Sequence, residues 1–217
     1  MAQFRLPRDD ERVAIVGRTG SGKTLAALWQ LSLRSYPTMP WVIIDYKGDE
    51  NISRIPRLKE IAVKSDPPNK PGLYAVRPLP HQNDDVENFL WKIWEKENTG
   101  LYFDEGYMFA NSDALRALLT QGRSKNIPII ILTQRPTWIS RFVWSESDFI
   151  QLFSLSNARD QKTMREIMPF KSIPTHYHSV WHQVKDGQNF LLRPVPNMNT
   201  VLATIRERAP LPYGAYV

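Results

Sequence analysis

The chain has 217 residues, of which 28 are Lys or Arg and 22 are Asp or Glu, giving a formal net charge of +6. This length is enough for one α/β domain and too short for two large ones. The absence of Cys excludes disulfides and thiolate metal sites, and no apolar run approaches the roughly 18 residues of a transmembrane helix. The N-terminal residues have no apolar core of signal-peptide length. We therefore expect a soluble, cytoplasmic protein whose positive charge is compatible with a polyanionic partner.

A phosphate-binding loop follows the first predicted strand. The apolar run Val13–Val16 is typical of a buried strand, residues 17–24 match G-x-x-x-x-G-K-[ST], and residues 25–31 are typical of a helix. Glycines let the backbone wrap around a triphosphate, and the helix N-terminus adds partial positive charge. Lys23 is expected to reach the β- and γ-phosphates and Thr24 to ligate Mg²⁺. The residues predicted to bind the nucleotide are Gly17, Arg18, Thr19, Gly20, Ser21, Gly22, Lys23, Thr24 and Leu25.

The second predicted strand, residues 41–44, ends at the segment Asp-Tyr-Lys-Gly. In that segment, Lys47 is a candidate contact for phosphate or for a partner subunit, and Asp45 is a candidate for the outer shell of Mg²⁺. A capped turn is the alternative interpretation of the same four residues. The proline-rich stretch 65–80 predicts a loop with a short strand over residues 73–76, followed by a helix that Asp84 or Asp85 begins.

The third predicted strand, residues 101–103, runs directly into Asp104 and Glu105 and has the form of a Walker B segment. Asp104 is expected to hold Mg²⁺, and Glu105 to polarise the water that attacks the γ-phosphate. A solvated Asp-Glu turn is the alternative interpretation. The phosphate-binding loop upstream favours the catalytic one.

Two more polar residues flank the fourth predicted strand, residues 127–133. Gln134 ends this strand, where it can hydrogen-bond the attacking water or the γ-phosphate; the alternative is a polar loop residue. Arg123 precedes the strand, at the sheet edge opposite the strand ends, so it cannot easily reach its own nucleotide. It can reach a neighbour's nucleotide in a ring, where a trans-acting arginine stabilises transition-state charge. The alternative is a surface arginine.

The rest of the chain predicts a fifth strand over residues 149–155, a helix ending near Met168, and a hairpin whose strands flank the turn at Asp186-Gly187. Prolines in the last segment predict a tail extended over the surface. We divide the chain into a core, residues 1–170, and a hairpin with an extended tail, residues 171–217, packed on the same domain. Alternating strands and helices predict an α/β fold with a mostly parallel sheet, whose ligand site lies at the carboxyl ends of the strands.

Residues 122–136 resemble a segment of the FtsK/HerA superfamily of DNA-pumping ATPases, in which a Gly-Arg pair precedes a strand ending in Thr-Gln-Arg-Pro. The Asp-x-Lys-Gly segment after the second strand is similar to that family as well. The resemblance covers roughly residues 10–170 and implies a P-loop NTPase fold with sheet order 5-1-4-3-2. It also implies ATP and Mg²⁺ as cofactors, a catalytic glutamate at Glu105, a trans-acting arginine at Arg123, and a hexameric ring that moves double-stranded DNA through its pore.

The short chain is most similar to the minimal genome-packaging ATPases of membrane-containing icosahedral viruses and phages. This resemblance implies a motor that packages double-stranded DNA, located in the host cytoplasm or on the virion, with a capsid vertex or membrane protein as a further partner. The alternative is an ATPase that drives protein export or virion assembly, like the zonular occludens toxin relatives of filamentous phages. Two further alternatives fit the sequence less well. The strand end at Gln134 argues against a small-molecule kinase. The carboxylate pair that includes Glu105 argues against a protein that binds a nucleotide without hydrolysing it.

Overall fold

The computed structural model describes residues 3–209. These residues form one nine-stranded sheet with helices on both of its faces. The strands are β1 Val13–Val16, β2 Pro40–Ile44, β3 Lys59–Glu60, β4 Gly72–Val76, β5 Gly100–Phe103, β6 Ile129–Thr133, β7 Phe149–Leu152, β8 Ser179–Gln183 and β9 Gln188–Leu192. The α-helices are α1 Lys23–Ser32, α2 Glu50–Ser53, α3 Asn83–Lys96, α4 Asp113–Gln121, α5 Arg141–Ser145, α6 Ala158–Ile167 and α7 Met198–Arg208. Short 3₁₀ turns span Gly106–Phe109 and Pro136–Trp138.

The strand order is β3-β4-β2-β5-β6-β1-β7-β8-β9, and the strands from β3 to β7 are all parallel. The five strands foreseen for the core are β1, β2, β5, β6 and β7 in chain order, so the predicted order 5-1-4-3-2 is confirmed. The short strand foreseen over residues 73–76 is β4, which lies outside β2. Every residue of β1, β2, β5, β6 and β7 is buried, as expected of parallel strands covered on both faces.

Helices cover the two faces of the sheet with two separate apolar clusters. On one face, Leu28 and Leu31 of α1 pack with Val201 and Ile205 of α7 against the alternate residues of β1 and β6. The other face is covered by apolar residues of α3, α4, α5 and α6, including Phe89. Because side chains alternate along each strand, one apolar strand supplies both clusters.

Polar side chains cap the N-termini of α4 and α6. The Ser112 hydroxyl accepts a hydrogen bond from the Leu115 amide at 2.9 Å and begins α4, and the Asn157 side chain caps α6. For α3 the prediction was wrong, because the N-cap is Gln82 and the two candidate aspartates, Asp84 and Asp85, lie inside the first turn. Their negative charge there interacts favourably with the positive end of the helix dipole.

The C-terminal part contains the predicted hairpin, but the prediction of an extended tail was wrong. Strands β8 and β9 pair antiparallel around the turn at residues 186–187, and β8 also pairs antiparallel with β7, so the hairpin continues the sheet. The next segment forms α7, which Asn197 caps and which packs on α1. Its apolar residues Val201 and Ile205 are four apart and buried together. Residues 210–217 of the expected tail lie outside the described part, and a domain boundary near residue 170 stays a prediction.

Among residues 3–209, no helix is long and apolar enough to cross a membrane. The longest helix described is α3, with 14 residues, whereas a membrane span needs about 20.

Gly100 at the start of β5 lies directly against the buried ring of Trp41. A Cβ atom added at Gly100 would overlap the Cε2 and Cδ2 atoms of that ring. We expect Gly100→Ala to lower the free energy of unfolding by about 3 kcal/mol, because a well-packed core accommodates added volume only by strain. Urea denaturation measures the loss. The double variant Gly100→Ala/Trp41→Leu should lose less than the sum of the single variants, and strict additivity would contradict the overlap.

Candidate functional site

A cavity of about 390 Å³ lies at the carboxyl edge of the parallel strands. The loop after β1 forms its floor, and residues after β2, β5 and β6 form one wall. This arrangement agrees with the expectation that ligands bind where parallel strands end. The residues that line the cavity are Thr19, Gly20, Gly22, Lys23, Thr24, Leu25, Lys47, Asp49, Asn51, Asp104, Glu105, Gln134 and Tyr177.

The loop between β1 and α1 has the conformation that its motif predicts. Gly22 has φ +97°, a left-handed value that favours glycine, and forms the N-cap of α1. The Lys23 side chain is buried, and its Nζ donates to the carbonyl of Arg18 at 3.3 Å. Burial lowers the pKa of Lys23, while the nearby charge of Glu105 opposes that shift. The lysine is therefore held over the loop, where a bound phosphate would contact it.

Asp104 and Glu105 follow β5 and are both buried. Burial, together with the neighbouring carboxylates of Glu105, Asp49 and Asp45, raises the pKa of Asp104 to about 7. A carboxylate held in such surroundings is stabilised by a cation placed beside it.

Glu105 is the centre of a side-chain network that joins three strand ends. Its Oε1 accepts from Gln134 Nε2 at 2.5 Å and forms an ion pair with Lys47 Nζ. The amide oxygen of Gln134 in turn accepts from the Thr19 hydroxyl of the phosphate-binding loop at 2.6 Å. The other carboxylate oxygen of Glu105 is buried without a partner among the described residues. Since a buried polar atom normally has a partner, this oxygen is available to a molecule bound in the cavity.

An unpartnered carboxylate oxygen and two candidate metal ligands fit a triphosphate with Mg²⁺ in this cavity. Glu105 Oε2, on a residue that lines the cavity, is buried without a hydrogen-bond partner in the described structure. The predicted metal ligands Thr24 and Asp104 line the same cavity. Hydroxyl and carboxylate oxygens are the ligands that Mg²⁺ prefers in proteins. Of the nine predicted nucleotide-binding residues, Gly17, Arg18 and Ser21 do not line the cavity wall.

The structure favours the capped-turn interpretation of Asp45. Its carboxylate accepts from the amide of Asp49 at 3.1 Å and from Arg77 Nε at 3.1 Å, and the residue is fully buried outside the cavity. Lys47 does line the cavity, but its partner is Glu105. The sequence did not reveal this pairing, because it depends on β2 lying next to β5 in the sheet.

Arg123 lies far from these residues, in the turn between α4 and β6 at the amino ends of the strands. Its guanidinium donates to Asp148 at 2.6 Å, and its side chain is half exposed. The other three predicted catalytic residues, Lys23, Glu105 and Gln134, meet in one cavity. Arg123 does not contact the cavity of its own chain, as its position in the sequence predicts.

A larger groove of about 690 Å³ lies beside α5 and α6. It is lined by residues such as Arg141, Arg159 and His182, and contains none of the predicted catalytic or nucleotide-binding residues. The smaller cavity is therefore the candidate active site, because the phosphate-binding loop and the two adjacent carboxylates meet there.

The central strand, phosphate-binding loop and helix, facing an Asp-Glu pair across one cavity, place this protein in the class of P-loop nucleoside triphosphatases. Within that class, the chain belongs to the same family as the DNA packaging ATPase P9 of Enterobacteria phage PRD1. The two sequences are 40% identical over 214 residues, which cover 92% of this chain and 94% of that protein. No protein-family model matches the chain.

Solved structures share the fold at low sequence identity. The genome packaging NTPase B204 from Sulfolobus turreted icosahedral virus 2, in complex with ATP-gammaS, superposes with a TM-score of 0.68 at 17% identity, over 88% of this chain and 100% of that one. EssC (ATPases 2 and 3) from Geobacillus thermodenitrificans superposes with a TM-score of 0.61 at 12% identity, over 92% of this chain and 44% of that one. These likenesses confirm the predicted P-loop fold.

The raised pKa of Asp104, about 7, predicts a pH-dependent affinity for Mg²⁺. Protons and Mg²⁺ compete for this carboxylate, so the affinity falls as the pH drops through 7. At pH 6 only about a tenth of a group with this pKa is ionised, against about nine tenths at pH 8, which predicts about tenfold weaker Mg²⁺ binding at pH 6. Titrating Mg²⁺ at a saturating concentration of a non-hydrolysable ATP analogue measures this difference. Asp104→Asn should remove most of it, and an equal pH dependence in that variant would contradict the assignment.

Proposed function

We propose that this protein is an ATP-hydrolysing motor that translocates double-stranded DNA and packages a viral genome into a capsid. The observation that carries the proposal is the 40% identity, along nearly the whole chain, to a DNA packaging ATPase. The cavity supports it, because three of the four residues predicted to be catalytic, Lys23, Glu105 and Gln134, meet there.

We assign to the residues roles that are compatible with their positions in the cavity. The loop amides and Lys23 bind the phosphates, and Thr24 with Asp104 would hold Mg²⁺, which neutralises phosphate charge when it is bound. Glu105 accepts the proton of the attacking water. Gln134 bridges Glu105 and Thr19, so it is placed to respond to loss of the γ-phosphate.

Lys47 links substrate binding to the state of Glu105. In the structure its ammonium is paired with the Oε1 atom of that carboxylate, although the lysine side chain is 45% exposed. A γ-phosphate entering the cavity carries more negative charge than one carboxylate and competes for the ammonium. Transfer of Lys47 to phosphate frees Glu105 to accept a proton.

The fold does not specify the partners of this protein, so we propose them separately. We propose double-stranded DNA as the translocated substrate, a hexameric ring as the working assembly, and a capsid vertex or membrane protein as the docking partner. The protein would work in the host cytoplasm or on the virion. The net charge of +6 is compatible with a DNA partner, and the position of Arg123 outside its own cavity is compatible with a ring.

Steady-state ATPase assays with and without double-stranded DNA test this function, and mass photometry measures the assembly. We expect DNA to stimulate hydrolysis. The DNA affinity, measured from the DNA concentration that gives half-maximal stimulation, should fall by about 10³–10⁵ between roughly 50 and 200 mM salt if the protein contacts about six to ten phosphates. Lys23→Ala is the inactive control. Hydrolysis that ignores DNA but responds to a coat or membrane protein would favour the export or assembly alternative.

A further inference from the structure

Tyr177 lines the candidate active site although no motif marks it. It lies in the loop before β8, more than 150 positions after the phosphate-binding loop. Because β8 runs antiparallel to β7, the start of β8 lies at the edge where β1 and β7 end. The sheet order therefore brings Tyr177 to the cavity mouth.

The aromatic ring of Tyr177 lies against the phosphate-binding loop. A Cβ atom added at Gly22 would be 3.2 Å from Tyr177 Cδ1 and 3.7 Å from Cε1 of Phe153. Tyr177 is 61% exposed, and within residues 3–209 its hydroxyl has no hydrogen-bond partner. An aromatic side chain that is neither packed in the core nor hydrogen-bonded has a ring face available to a ligand.

The backbone at Tyr177 has an unusual conformation. His176 and Tyr177 have φ values of +51° and +63°, two consecutive left-handed residues that are not glycine. Such conformations carry strain and occur where the surrounding structure fixes them, often at ligand sites. The loop is closed by the amide of His178, which donates to the carbonyl of Thr175 at 3.0 Å.

The sheet order separates the two ends of the cavity. Lys47, Asp104, Glu105 and Gln134 follow β2, β5 and β6, which all lie on one side of β1. Tyr177 comes from the other side of β1, beyond β7. The groups that act on the γ-phosphate therefore lie at one end, and an aromatic ring lies at the other, with the phosphate-binding loop between them.

We propose that the base of the bound nucleoside triphosphate stacks on the Tyr177 ring. The proposal rests on the function proposed above and assigns the part of the cavity opposite the catalytic carboxylate. Every nucleobase has a π-face, whatever hydrogen-bonding groups it carries. Stacking should therefore increase the binding affinity of both ATP and GTP. Tripolyphosphate has no base, so the Tyr177 ring should not increase its binding affinity.

Calorimetric titration of the full chain with AMP-PNP, GMP-PNP and tripolyphosphate, each with Mg²⁺, tests the proposal. Stacking on an aromatic side chain is worth about 1–3 kcal/mol, so we expect Tyr177→Ala to bind both nucleotides about tenfold more weakly and tripolyphosphate within about twofold of the parent. Tyr177→Phe keeps the ring and should bind all three ligands like the parent. His176→Ala places alanine at the adjacent left-handed position and is the matched control for backbone strain.

The Tyr177→Leu variant tests whether nucleotide affinity depends on aromatic stacking or only on a side chain that covers Gly22. Leucine still covers the loop but has no aromatic face, so it should lose nucleotide affinity selectively, as alanine does. Equal weakening of nucleotides and tripolyphosphate in both the alanine and leucine variants would overturn the proposal, as would a parent protein that binds tripolyphosphate as tightly as AMP-PNP. Unchanged nucleotide affinity in Tyr177→Ala, with hydrolysis retained, would overturn the Tyr177 assignment and leave the ATPase function standing. The absence of DNA-stimulated hydrolysis would instead count against the proposed motor, whatever Tyr177 does.

Discussion

Glu105→Gln is expected to abolish ATP hydrolysis and to leave ATP binding intact. Glutamine has the same shape, and its amide oxygen can still accept the hydrogen bond from Gln134, but it cannot accept a proton from water. A general base contributes about 10²–10⁴ in rate, so kcat should fall by that factor. The affinity for a non-hydrolysable ATP analogue should not fall, because the phosphate-binding loop is untouched and loss of the Glu105 charge leaves Lys47 available to the γ-phosphate.

Phosphate-release assays and calorimetry on the same preparation measure both quantities. Glu97→Gln is a suitable control, because Glu97 pairs with Lys125 away from the cavity and its side chain is 43% exposed. Hydrolysis by Glu105→Gln at more than about a tenth of the parental rate would mean that the base lies elsewhere. Asp104 would then be the next candidate, since its pKa of about 7 lies near the working pH.

The strands of the central sheet were predictable because each is recognisable from its own short stretch of sequence. β2 and β6 are runs of apolar residues that end at polar ones, as buried parallel strands do. Their order in the sheet came from the family resemblance, since an apolar strand does not specify its neighbours. Helix α7 was missed because Pro194 and Pro196 suggested an extended tail. Both prolines precede the Asn197 cap, where proline does not interrupt a helix.

That Lys23, Glu105 and Gln134 meet in one cavity was predictable for the same local reason. Lys23, Glu105 and Gln134 each lie in or next to a motif at a strand end, and parallel strands bring such ends together. The ion pair between Lys47 and Glu105 was not predictable, since it requires β2 and β5 to be adjacent. Tyr177 was missed as well, because only the antiparallel pairing of β8 with β7 returns that loop to the cavity edge.

Arg123→Ala is expected to inactivate rings made of one variant and to be rescued in mixed rings. Its guanidinium lies at the amino ends of the strands, away from its own cavity, so any catalytic contact must be with a neighbouring subunit. An arginine supplied in trans is worth about 10³–10⁵ in rate. Glu105→Gln subunits keep Arg123, and Arg123→Ala subunits keep Glu105. Mixing the two inactive variants therefore creates interfaces at which one subunit supplies each group, and ATPase activity should return.

A purely structural role for Arg123 predicts a different result. The Arg123 side chain is 53% exposed, and Asp148, which is 17% exposed, keeps a hydrogen bond from the Arg12 amide. Surface ion pairs contribute about 0–1 kcal/mol to stability, so Arg123→Ala should remain folded. Arg116→Ala is the matched control, because Arg116 pairs with Asp113 on the surface of α4 at comparable exposure. Thermal denaturation should be similar for both variants, whereas only Arg123→Ala should lose hydrolysis. A folded Arg123→Ala protein that stays inactive after mixing with Glu105→Gln subunits would exclude the trans role, because complementation requires the arginine and the glutamate to come from different chains.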